Sequence, residues 1–130
     1  MVCSEHGGMD NCRIVMVDSG VSNVHKKISQ DNIRGVGIEH TKEGYSVSGD
    51  IYDWADHGTG IYGILKEHND KADIFVVRLS DCVNNGNDLE ELVYILEFIY
   101  NNIVCDLINI SISISYCNNM TLLKRLKRLC

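Results

Sequence analysis

Short apolar runs bounded by turn residues set the framework of this chain. Arg13–Val17 (RIVMV) is a continuous apolar run, the pattern of a strand buried on both faces, and it ends on Asp18 before a break at Ser19-Gly20. Ile33–Ile38 predicts a second strand and Ala72–Leu79 (ADIFVVRL) a third. Between them, Thr41–Gly49 is polar and glycine-bearing and reads as a loop. Val24–Ile28 reads as a helical turn, and Asp81–Asn87 (DCVNNGN) as a loop by its turn residues.

Helical spacing takes over elsewhere. In Asp53–Leu65 (DWADHGTGIYGIL), small residues follow His57 and then Ile61, Ile64 and Leu65 form an apolar run. This predicts a loop passing into a buried helix that ends at Glu67 or His68, with His57 at its start. Asp53 and Asp56 stand just ahead, where negative charge suits the helix dipole. A second helix begins at Asp88, where Glu91 lies at capping-box spacing, and Leu89, Leu92, Val93, Leu96, Ile99 and Ile103 repeat at helical intervals. Across Val104–Ser115 the period changes to two: Ile108, Ile110, Ile112 and Ile114 alternate with Asn109, Ser111, Ser113 and Ser115, which predicts a strand. From Asn119 a last helix carries Leu122, Leu123, Leu126 and Leu129 on one side. Its leucine stripe is still running at Cys130 with no Gly or Asn at a C-cap, so the chain reads as cut within a helix.

Strands alternating with helices predict an α/β fold, a parallel β-sheet with helices on both faces. Residues 1–12 read as a loose lead-in and 13–130 as a single unit. A length of 130 residues is enough to bury a core, and 45% apolar with 23% charged residues is the mix of a soluble globular protein. The net charge of −6 argues against nucleic acid as partner. Four of the twelve basic side chains (Lys124, Arg125, Lys127 and Arg128) crowd into the final helix, leaving the rest of the chain more acidic than the total suggests. No apolar run is long enough to span a bilayer, and the basic helix reads as packed rather than lying on a membrane. Six cysteines without a C-x-x-C pair, and an N-terminus (MVCSEHGGMDNC) without a secretory apolar core, point to free thiols in the cytoplasm and to no metal site.

An aspartate ending a strand and a histidine opening a helix are the two supporting members of a Ser-His-Asp triad. The nucleophile is harder to find. Serines after His57 are Ser80, Ser111, Ser113 and Ser115, on strands or strand ends without a nucleophile turn.

Four stretches, in order, resemble the N-terminal part of the subtilisin-like serine peptidases. Val17-Asp18-Ser19-Gly20-Val21, with His25 seven residues after the aspartate, is similar to the family's D-[ST]-G-x-x-x-x-H segment. His57-Gly58-Thr59-Gly60-Ile61-Tyr62-Gly63 resembles H-G-T-H-V-A-G, with Gly60 in place of the second histidine and Tyr62 in place of alanine. Ala72–Leu79 resembles the strand before the substrate-flanking loop, and Asp106–Ser113 (DLINISIS) resembles D-V-I-N-M-S-L-G. Lys26-Lys27 replace the family's Pro-Asp, and Ser113 stands where glycine is usual. The resemblance implies an incomplete three-layer αβα domain and peptide-bond hydrolysis, with Asp18 and His57 as catalytic residues. It places Ser111, Ile112 and Ser113 on one edge of a substrate groove and Asn84–Gly86 on the other. It implies a peptide or protein substrate and no cofactor; structural calcium occurs in the family, without support in this sequence. The family's G-T-S segment and its oxyanion asparagine have no counterpart, so the 130-residue chain alone is expected to be inactive. The remaining half would then come in cis or in trans. The alternative is a non-catalytic remnant that holds peptides.

Overall fold

The computed structural model describes residues 12–22, 33–80, 88–111 and 120–129. Among these residues five strands form one sheet: β1 (Arg13–Asp18), β2 (Arg34–Thr41), β3 (Gly44–Ser48), β4 (Asp73–Arg78) and β5 (Leu107–Ile110). Their order is β3-β2-β4-β1-β5. The four strands β2, β4, β1 and β5 run parallel, and β3 adds antiparallel at one margin. Three helices accompany them among the described residues: α1 (His57–His68), α2 (Asp88–Asn102) and α3 (Met120–Leu129). The chain therefore has the α/β architecture expected from its alternating periods.

β1 lies between β4 and β5 and is covered on both faces, which explains why its sequence is apolar at successive positions. Ile14 and Met16 pack on one face with Ile74, Val76 and Tyr62 of α1. Val15 and Val17 pack on the other with Val77, Ile95 and Ile99, the last two from α2. Removing each such side chain from water contributes about 1.5–3 kcal/mol, so the two faces pin β1 in register. α3 lies against α2, with Arg125 ion-paired to Glu97.

Several expectations need correction. Thr41–Gly49 is no loop: β2 and β3 form a hairpin turning at Lys42-Glu43, with Gly44 at φ +118°. β3 is an edge strand with partly exposed residues, so it needs no apolar run to announce it. In α1, Tyr62 is the buried apolar side chain and Ile64 is half exposed. Glu91 does more than its capping-box spacing suggested: its carboxylate accepts the Ser80 N–H at 2.7 Å, tying α2 to the end of β4. β5 starts at Leu107 rather than Val104, because Asp106 first turns to bind Arg13, giving its N–H to the Arg13 carbonyl at 2.8 Å. Val104 is consequently exposed. Val24–Ile28, Asp81–Asn87 and the strand beyond Ser111 lie outside the described residues.

Candidate active site

The site forms at the C-terminal margin of the parallel strands, where α/β sheets gather their reactive groups. Asp18 closes β1 and is only 1% exposed. Its Oδ1 accepts from the Ser19 N–H at 2.7 Å and lies 2.7 Å from His57 Nδ1. An ionised carboxylate only accepts, so the imidazole proton sits on Nδ1 and Nε2 is the basic nitrogen of the neutral ring. The His57 side chain is 55% exposed. The pair therefore joins a buried acceptor to a ring open to solvent. Asp18 Oδ2 is buried with no hydrogen-bond partner among the described residues.

Two glycines make this approach possible. A Cβ on residue 58 would collide with the Gly20 carbonyl oxygen and stand 3.2 Å from Asp18 Oδ1. Gly20 has φ +114°, and a Cβ there would lie 2.5 Å from the Ile51 carbonyl oxygen. Asp56, immediately before His57, occupies the left-handed region at φ 60° and offers no side-chain cap to α1. Such a conformation costs a non-glycine residue on the order of 1 kcal/mol.

The cap comes instead from Asp53, whose role exceeds the dipole effect expected of it. This carboxylate is 3% exposed. Oδ1 accepts from the Ser19 hydroxyl at 2.6 Å and the Ala55 N–H at 3.0 Å. Oδ2 accepts from the Thr59 N–H at 2.8 Å and the Thr59 hydroxyl at 2.6 Å. Ser19 Oγ in turn accepts the Gly58 N–H at 2.9 Å, and Thr59 Oγ1 accepts the Ser22 N–H at 3.0 Å. One carboxylate and two hydroxyls thus bolt the exit of β1 to the start of α1. Burial pushes the Asp53 carboxyl up, but the bonds from Ser19, Thr59 and Ala55 outweigh it and hold it below the usual range.

His57 is held above the ordinary imidazole value, first by its hydrogen bond to Asp18, then by that carboxylate's charge; partial burial opposes, and Asp53 adds a smaller upward push.

Of the expected substrate-edge residues, Ser111 follows Ile110, the register partner of Val17, and so ends β5 at the same margin as Asp18. Its hydroxyl donates to Asn109 Oδ1 at 3.0 Å. Ile112, Ser113, Asn84 and Gly86 lie outside the described residues. Among the described residues no cluster of three His, Cys, Asp or Glu side chains is placed to hold a metal ion, and no helix is long and apolar enough to cross a membrane. No protein-family model, no curated protein and no solved structure matches the chain.

Proposed function

We propose that this chain supplies the aspartate and histidine of a serine endopeptidase of the subtilisin type, within a three-layer αβα catalytic domain. The observation that carries the reading is the 2.7 Å contact between a nearly inaccessible Asp18 and the Nδ1 of a solvent-open His57. That arrangement leaves Nε2 to act as the base. A serine hydroxyl from another segment would give its proton to Nε2 as it attacks a peptide carbonyl, and His57 would return the proton to the leaving amine. Asp18 would keep the ring in the correct tautomer and stabilise the imidazolium. In this reading the protein works in the cytoplasm on a peptide or protein, without cofactor, and is completed by its remaining half in cis or in trans.

A second reading, a peptide-holding remnant without catalysis, is favoured by the described serines. Ser19 Oγ is used by Asp53 and Gly58, Ser80 is buried, and Ser111 is bonded to Asn109. None is placed against His57. The two readings separate on a fluorogenic peptide and a fluorophosphonate probe. The isolated chain should neither hydrolyse the one nor react with the other. Material recovered from the natural host through a tag on this chain should do both, and His57→Ala should lower its turnover by about 10⁴-fold or more. Turnover indifferent to His57→Ala rejects the peptidase reading; recovered material inert to both probes favours the remnant.

A further inference from the structure

We propose that Arg78 is a positioning residue for the Asp18–His57 pair, acting through the segment Asp50–Asp53; this rests on reading the pair as a proton relay. Arg78 ends β4 as the register partner of Asp18, and the next residue, Leu79, gives its N–H to the Asp18 carbonyl at 2.8 Å. The Arg78 side chain is 1% exposed, an unusual place for a guanidinium. Its Nε donates to the Asp50 carbonyl at 2.7 Å and Nη1 to the Leu79 carbonyl at 2.9 Å, while Nη2 bonds Glu39. Gly37 makes room: a Cβ there would collide with the Asp50 carbonyl and lie 2.5 Å from Arg78 Nη2.

From Asp50 the chain runs directly into the site. Tyr52 gives its N–H to Asp50 Oδ1 at 2.9 Å, the Ile51 carbonyl accepts the Val21 N–H at 2.8 Å, and Asp53 holds Ser19 and Thr59. The contacts close a ring: Asp18 to the β4 ladder, Arg78 to Asp50, Asp53 to the start of α1, and His57 back to Asp18. Without Arg78 the ring opens at Asp50, where Nε grips the segment that carries Asp53. A guanidinium serves three separated acceptors from one plane; an ammonium does not.

The test is an NMR titration of His57 in the full chain, compared with Arg78→Lys and Glu39→Gln. Arg78→Lys should move the His57 pKa down toward 6.5 while the amide spectrum stays dispersed. Glu39→Gln keeps an acceptor for Nη2 and should leave His57 where it is, whatever it does to the melting temperature. A folded Arg78→Lys protein with an unmoved His57 titration overturns the positioning role and leaves the relay standing. A parent His57 already at the ordinary value overturns both. If Arg78→Lys loses its dispersed spectrum, Gly37→Ala decides, since it keeps Arg78 but displaces the Asp50 carbonyl. A lowered His57 pKa there supports the proposal and an unmoved one sinks it.

Discussion

Asp18 and Asp53 meet the same helix start, both buried, with opposite use of their oxygens. Asp53 has both oxygens engaged by four donors, whereas Asp18 spends Oδ1 on Ser19 and His57 and leaves Oδ2 without a partner among the described residues. The first is saturated and holds structure. The second is under-coordinated, which concentrates its attraction on one imidazole.

Asp53→Ala should therefore be among the most damaging substitutions in the chain. It strips the acceptor from the Ser19 hydroxyl and from both Thr59 donors, at about 1–3 kcal/mol for each buried group left unpaired. Urea denaturation should show a loss of at least about 3 kcal/mol, with Asp53→Asn recovering part of it. Because the folded carboxyl lies below its usual 3.8, its contribution is present above that value and is lost as pH falls through the folded one. Asp53→Asn should flatten acid unfolding in that range.

His57 gives the opposite sign. Its folded pKa is raised above 6.5, so its contribution is complete below 6.5 and disappears as pH rises through the folded value. The exposed ring keeps the effect small through solvent screening. Urea midpoints of the parent should fall across that window, and the His57→Gln variant should lose this component of the pH dependence.

The glycines of α1 should divide sharply. Gly58→Ala drives a Cβ into the Gly20 carbonyl and should cost about 1–3 kcal/mol or more by overpacking, with the Asp18–His57 contact broken. Gly60→Ala and Gly63→Ala meet open space and should each stabilise the helix by about 0.5–1 kcal/mol. Equal effects at 58 and 60 in thermal melts would contradict the close approach.

Glu91 offers a check away from the site. Glu91→Leu leaves the buried Ser80 N–H without its acceptor and should cost about 1–3 kcal/mol. Glu91→Gln keeps an acceptor oxygen and should be close to neutral in the same denaturation assay.

Much of the fold could be read in the sequence because β1, β4 and α2 are buried by apolar periodicity, and period is visible along a chain. Asp18 and His57 were legible because each terminates an element at a marked boundary. β3 was not, since an edge strand can be as polar as a loop. Asp53, Ser19 and Thr59 act as a unit only after folding brings residues 19, 53 and 59 together, and no spacing encodes that. The buried Arg78 was hidden at the end of a strand whose four middle residues are apolar, where a lone arginine reads as a strand end.

The start of α1 spends its amides inwardly: Gly58 on Ser19, Thr59 on Asp53, and Gly60 on the Asp56 carbonyl. A helix N-terminus ordinarily attracts anions, but this one has no N–H left to offer among those three. If the pair acts as the proposed proton relay, negative charge forming on a bound molecule would have to be met by groups other than these three amides. Ligands aimed at this end of the sheet should accordingly carry a hydrogen-bond donor for His57 Nε2; a carboxylate or phosphate would find the positive pole already occupied.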